Sequence, residues 1–400
     1  MKHIGALLVF TAAALITLGL SSTALAFHAG GVAHCDGCHT MHNSVDGQPV
    51  AGTGADRTSL MLGSDPSSTC LNCHGDVGAG RTSSYHVMSE DGHYFHSGGD
   101  FFWVQKTYSY DVRGTETFSN GEDHGHNIVA LDYGLNAQAV PAQAPGGTYL
   151  AEDLSCSSCH DPHGTIFNNT GGPISVSGSY GGTPADGTRA GNYRLLADNG
   201  YRTAGLTYAT PGGVPKAVST NSNVNDTLHT DYGSNMSAWC ANCHGEFTMA
   251  QKHPVGPTDG ALSKTNNTTG QSYATTYNRY VKTGDSSGAG WPQSTGPYLE
   301  LVSFERGAGA ALDINSTAGP SGGNVMCLTC HRAHASAFDY AGRWDFGTEY
   351  IAHSHPTADD NDVADIFGDP LETAYYGRNV VSEYGEYQRS FCNKCHAKDS

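Results

Sequence analysis

The sequence predicts a mostly irregular coil with short helices and few strands, and three observations carry that expectation. Glycine occurs 52 times, only 14% of residues are charged and 38% are hydrophobic, so long amphipathic helices and deep sheets have little to be built from. Twelve cysteines fall into six pairs at one fixed spacing. Between the pairs lie polar tracts such as NNTGGPISVSGSYGGTPADGTRAGN (168–192) and STNSNVNDT (219–227), whose Gly, Ser, Thr, Asn and Pro mark turns and linkers. Helical patterning is confined to short pieces, SAWCANCHGEFTMAQK (237–252) and EYQRSFCNKCHAK (386–398) among them.

The chain opens with Lys2 and His3, an apolar run GALLVFTAAALITLGL and the small-residue close TALA. That is the pattern of a secretory signal peptide over 1–26, and it leaves 27–400 as a single domain. The run is at the short end of what spans a bilayer, and no other segment is apolar enough, so no membrane insertion is expected after cleavage. The 38 acidic residues outnumber 20 basic ones, which argues against nucleic acid or an anionic membrane as partner.

Twelve cysteines in an exported chain first suggest disulfides, but every pair is followed at once by histidine. The motifs are CDGCH (Cys35, Cys38, His39), CLNCH (Cys70, Cys73, His74), CSSCH (Cys156, Cys159, His160), CANCH (Cys240, Cys243, His244), CLTCH (Cys327, Cys330, His331) and CNKCH (Cys392, Cys395, His396). CxxCH is the c-type haem attachment signature: the thiols become thioethers and the histidine an axial iron ligand. Zinc gives no reason for a histidine at a fixed +1 position. The expected cofactors are six covalently bound haem c groups. With about 62 residues for each motif, the haems are expected to take the place of an ordinary core.

The motifs also alternate. The first, third and fifth continue as CHTMH, CHDPH and CHRAH, placing His42, His163 and His334 at +3, which suggests a dihaem unit used three times. Three residues span at most roughly 10 Å, too little to leave one face of a porphyrin and return on the other. A +3 histidine that is a ligand therefore serves a different haem and ties two together. Beyond the motif histidines and His3 there are fourteen others to fill six distal positions. The mature chain holds only six methionines, two of them adjoining a motif, so histidine is the expected distal ligand.

Several blocks resemble a known family: FHAGGVAHCDGCHTMHNS, SCSSCHDPHG, MSAWCANCH, CLTCHRAHASAFD and YQRSFCNKCHAK are similar to the OmcS-type outer-surface hexahaem cytochromes of metal-reducing bacteria, the subunits of extracellular cytochrome nanowires. The similarity covers every haem site and both termini and fades in the glycine-rich connections. It implies a mostly coil subunit organised around a continuous stack of bis-histidine haems and polymerised head to tail, with His42 ligating the haem on Cys327, Cys330 and His331 of the adjoining subunit. It also implies His86 (SSYH), His126 (GHN), His163 (DPH), His253 (HPVG) and His334 (RAH) as distal ligands. Reach then suggests His163 for the first haem and His334 for the third. His86, His126 and His253 are left for the second, fourth and sixth in no fixed order, with His124 and His28 as the nearest rivals.

The function expected is long-range extracellular electron transfer, with identical subunits, other c-type cytochromes and extracellular electron acceptors as partners. A monomeric periplasmic or outer-surface shuttle shares every motif. A multihaem redox enzyme needs an open or weakly held axial position, and all six motifs here end in histidine. HSHP (353–356) beside PTADDNDVADIFGD (356–369) admits either a divalent cation around Asp360 or a merely solvated acidic loop.

Overall fold

The computed structural model describes residues 37–40, 44–45, 48–49, 60–76, 85–162, 193–220, 223–248, 253–267, 269–279 and 298–396. The leader over 1–26, Cys35, His28, His42, His163 and the tract 168–192 lie outside the described residues.

The helices are short, as expected. They are α1 (Pro66–His74), α2 (Phe102–Gln105), α3 (Cys156–Cys159), α4 (Met236–Cys240), α5 (Gly256–Asp259), α6 (Tyr273–Arg279), α7 (Cys327–Cys330), α8 (Pro370–Ala374), α9 (Val380–Tyr384) and α10 (Asn393–His396). Antiparallel pairs make four two-stranded sheets: β1 (Ser44–Val45) with β2 (Gln48–Pro49), β3 (Tyr108–Val112) with β4 (Thr115–Ser119), β5 (Arg202–Thr203) with β6 (Leu206–Thr207), and β7 (Ala217–Val218) with β8 (Asp231–Tyr232). The two stretches singled out for helical pattern hold only α4, a turn of 3-10 helix at Gly245–Thr248, and α10.

Local chemistry sets the boundaries. Asp65 caps α1, its carboxylate accepting the Ser68 N–H at 2.8 Å, and Pro66 takes the first helical position, where no N–H is needed. Asp369 with Pro370 repeats the device at α8. β3 and β4 are joined by Arg113 and Gly114, both at positive φ, the two-residue turn that matches strand twist. In α3 and α7 a single helical turn carries both cysteines of a motif. Residues three apart share one face, so both sulfurs can meet one macrocycle.

The haems do not stand in for the whole core. A large apolar cluster gathers Leu71, Phe101, Trp103, Leu301, Trp344 and Phe391, and a smaller one Tyr208, Tyr232, Met236 and Trp239. Trp103 and Trp344 are fully buried; each removes roughly 200 Å² from water, worth about 5 kcal/mol of gross burial. The STNSNVNDT tract is likewise more than linker where it is described. Ser219 and Val224 are buried, Ser219 Oγ bonds Thr230 Oγ1 at 2.7 Å, and Asp226 pairs with Arg378 at 3.3 Å.

At the centre is a buried ion cluster. Glu300, 2% exposed, accepts a bidentate pair from Arg332 (2.8 and 3.1 Å) and a third bond from Arg343 at 2.7 Å, with Arg378 at 3.9 Å. Burial alone would raise its pKa, but the three guanidiniums hold it well below the usual carboxylate range. The stabilisation is therefore present above the ordinary glutamate pKa and is lost as the pH falls through the depressed folded value. Glu300→Gln leaves three buried guanidiniums short of their counter-charge and is expected to destabilise the haem-loaded protein by about 3–5 kcal/mol, measured by denaturant titration at neutral pH. The wild-type advantage over the variant shrinks in strong acid.

Candidate functional site

The motifs lie against one another in sequence order. Motif 1 is tied to the approach of α1, with Thr40 N–H donating to Leu60 C=O at 2.7 Å and Leu62 N–H to Cys38 C=O at 2.9 Å. The Cys70 and Cys156 thiols are in hydrogen-bonding contact, joining motifs 2 and 3, and Cys240 and Cys327 join motifs 4 and 5 in the same way. Cys159 and Cys243 are close enough to interact electrostatically, as is Cys330 with Cys392 and Cys395, completing the contacts 3–4 and 5–6. A serine three residues before the first cysteine of an even motif receives the N–H of the first cysteine of the next: Cys156 on Ser67 Oγ at 3.1 Å, and Cys327 on Ser237 Oγ at 3.0 Å.

The eleven described cysteines are unbridged and none is fully buried, unlike free cysteines in most proteins.

Histidine geometry fits iron ligation. Two iron–imidazole bonds of about 2 Å each, plus about 1.1 Å from nitrogen to ring centre on either side, put the ring centres of a bis-histidine pair roughly 6 Å apart. His126 and His244 stand at 6.0 Å, His160 and His334 at 6.4 Å, and His253 and His396 at 6.1 Å. His86 is brought beside His74 by the parallel bridge of Gly75 with Met88 and by the Val87 N–H on His74 C=O at 2.8 Å. A histidine ligand also needs its other nitrogen held. Backbone carbonyls accept from Nδ1 of His74 (Tyr85, 2.6 Å), His126 (Ala333, 2.8 Å), His160 (Arg194, 2.8 Å), His244 (Pro145, 2.8 Å), His253 (Pro254, 3.2 Å) and His331 (Tyr340, 2.7 Å), so Nε2 is the nitrogen a metal would take. Loss of hydration brings His126 down to about 4 and His334 to about 3, so both are held neutral, the form of imidazole that a metal requires.

The rivals are otherwise engaged. His124 donates and accepts through both nitrogens, to Trp103 C=O at 3.0 Å and Ser119 Oγ at 2.8 Å. His229 lies between two acceptors, Thr230 C=O at 3.1 Å and Ser316 C=O at 2.7 Å, to which its ring N–H donates, and stacks on Tyr298 at 3.5 Å. His355 bonds Asp360 at 2.7 Å and stacks on Tyr110 at 3.8 Å. Among the described residues, no group of three or more His, Cys, Asp or Glu is arranged to hold a metal ion, the acidic segment around Asp360 included. No described helix is long and apolar enough to cross a membrane.

Sequence reasoning missed the supporting residues. Arg343 Nη2 and Arg332 Nε are buried without a partner, a provision suited to an anionic group such as a haem carboxylate. The Tyr208 hydroxyl reaches Ser158 C=O at 2.7 Å and hydrogen-bonds the sulfurs of Cys159 and Cys243. Two glycines let backbones approach where no side chain fits: a Cβ on Gly147 would fall 1.7 Å from Cys243 C=O, and on Gly99, already at φ +95°, 1.9 Å from Ala335 C=O. Nothing in the sequence distinguishes these positions, because the partners are carbonyls and distant motifs.

Cysteine pairs on single turns, imidazoles facing each other across the width of a ligated iron, and carbonyls fixing their tautomers define a multihaem c-type cytochrome. The chain is 39% identical over 435 aligned positions to the C-type cytochrome OmcS of Geobacter sulfurreducens, covering 97% of this chain and 98% of that protein. The chain belongs to that family, and haem c is its covalently bound cofactor. Two solved structures agree. One, of the OmcS nanowires from Geobacter sulfurreducens, has a TM-score of 0.75 at 37% identity; the other, an outer membrane cytochrome S filament from the same organism, has 0.73 at 35%. Each covers 93% of this chain and all of the other. No family model matches the chain. The relationship makes it an electron-transfer cytochrome and not an enzyme.

His124→Ala removes two buried hydrogen bonds and His229→Ala one together with its stacking on Tyr298, and each is expected to cost about 2–3 kcal/mol. Their oxidised and reduced visible spectra should match wild type, a comparison made on purified haem-loaded protein.

Proposed function

We propose that this chain conducts electrons outside the cell along six covalently bound haem c groups, and that copies polymerise head to tail into a conductive filament. The observation that carries the reading is the succession of sulfur contacts from motif 2 through motif 6 along one chain, with motif 1 bonded to the segment that leads into motif 2. When bound, haem supplies one-electron iron chemistry; the protein sets order, ligand and burial. The relatives named above were solved as nanowires and filaments, which supports the same assembly here.

In this reading Cys35 with Cys38, Cys70 with Cys73, Cys156 with Cys159, Cys240 with Cys243, Cys327 with Cys330, and Cys392 with Cys395 hold the six groups. His39, His74, His160, His244, His331 and His396 are the proximal ligands. The ring pairs support a reading in which His334 serves the third haem, His126 the fourth and His253 the sixth, with His86 on the second. The first and fifth haems then draw on the histidines outside the described residues. His163 is assigned to the first haem. His42 cannot reach the far face of its own haem and is assigned to the fifth haem of the next copy. Such a contact is heterologous and does not close on itself, so it propagates. The leader 1–26 directs the single domain 27–400 out of the cell to the surface or beyond, where other c-type cytochromes and extracellular acceptors are its redox partners.

His42→Ala is expected to abolish filaments in electron micrographs and to leave one haem per subunit that binds carbon monoxide on reduction; a monomeric shuttle would show neither change. His334→Ala is expected to open one carbon monoxide site at the third haem while filaments persist. Filaments unaffected by His42→Ala would overturn the assembly model.

A further inference from the structure

Glu305 lies where motifs 4 and 5 meet. Its backbone is held in a bridge to Tyr232 of β8 on one side and to Asn324 on the other, and three residues beyond Asn324 comes Cys327. Its carboxylate accepts the N–H of Met236, the first residue of α4, at 3.2 Å; α4 ends in Cys240, whose sulfur touches that of Cys327. The residue is 1% exposed, yet the chain reaches the surface by Ala308.

Among the described residues, no counter-charge compensates this carboxylate. On its own segment, Arg306 is turned to Asp231 of β8 at 3.0 Å, and Glu300 is locked by Arg332 and Arg343. From β8 come only that paired Asp231 and the neutral Tyr232. Residues 236–239 of α4 carry no charge, and Asp259 of the adjacent α5 is exposed beside Lys264. Cys327 faces Glu305 but becomes a neutral thioether once haem is attached. Burial is the chief cause that leaves the carboxyl raised to about 7; the single Met236 bond opposes it, and the Cys327 sulfur adds to it.

We propose that Glu305 is a proton-binding site coupled to the haems attached at Cys240 and Cys327. It takes a proton from solvent when the adjoining ferric haem gains an electron from its neighbour in the chain, and returns it to solvent on reoxidation. The balance is one electron onto iron and one proton onto a carboxylate, with no bond made or broken elsewhere. The physical reason is charge. An ionised carboxylate in a desolvated setting favours the ferric state, and reduction removes the positive charge that opposed protonation. The coupling rests on the haem loading proposed above.

The test is a spectroelectrochemical titration of the haem-loaded protein at a series of pH values from about 6 to about 8, the range in which a carboxyl so raised changes charge. Wild type is expected to show midpoints that fall with rising pH, and Glu305→Gln to lose the fall of at least one midpoint and hold it at the wild-type acid value. Haem content by the pyridine haemochrome assay, measured in parallel, reports loading independently of the pH slope. Six loaded haems with pH slopes identical in wild type and Glu305→Gln would overturn the proposal while leaving the haem assignments standing. Should Glu305→Gln fail to load, Glu305→Asp keeps a carboxyl but shortens its reach and is expected to displace the pH window. An unchanged window sinks the idea equally.

Discussion

The structure depends on one constraint of length: a residue three positions beyond a motif histidine cannot reach the far side of the same porphyrin. Motif 5 shows how much follows from it. His331 closes the fifth motif, yet His334 three residues on stands opposite His160 of motif 3 at 6.4 Å. Between them Ala333 C=O accepts from Nδ1 of His126, and His334 C=O from the His126 backbone N–H at 2.9 Å, while His126 faces His244 of motif 4. Four consecutive residues thus serve the sites of motifs 3, 4 and 5. A segment with three such obligations has no freedom to shift, and its surroundings reflect that. Arg332 is pinned by two bonds to Glu300 and lies over the Tyr376 ring at 3.7 Å, and the Gly99 backbone packs so closely on Ala335 that a Cβ has no room.

The buried ion cluster follows from the same crowding. Charges are costly to bury unless paired, and Glu300 exists in the interior because Arg332, Arg343 and Arg378 converge on it. Three guanidiniums against one glutamate, with Asp226 on the flank, leave a positive remainder, expressed in the unbonded Arg343 Nη2 and Arg332 Nε. Those unbonded atoms are donors that an anionic group would find ready-made.

The sequence made the sites legible and the scaffold much less so. CxxCH is readable because its chemistry is local, with two sulfurs one helical turn apart and an imidazole beside them. The +3 position of His334 was readable because a length argument needs no fold. The pairing of His126 with motif 4 and His253 with motif 6 was not, since 118 and 143 residues separate these positions from the chemistry of their motif partners only through tertiary contact; no periodicity records it. His124 and His126 differ in the sequence by two places and in the structure by everything: one has both nitrogens bonded inside the protein, the other keeps Nε2 clear. The apolar clusters around Trp103 and Trp344 were hidden because their members are scattered singly through coil, where no stripe or alternation reveals burial.

The dihaem repeat, invisible in the connecting sequence, survives as a hydrogen bond. Ser67 serves Cys156 and Ser237 serves Cys327, each an even motif receiving the N–H of the odd motif that follows, and in each case sulfurs of the two motifs touch. The equivalent position before Cys392 holds Arg389, turned to Glu349 and the Tyr350 ring. At motif 6 the serine's place is thus taken by a residue committed elsewhere, and the contact of that motif with motif 5 rests instead on the sulfurs of Cys330, Cys392 and Cys395.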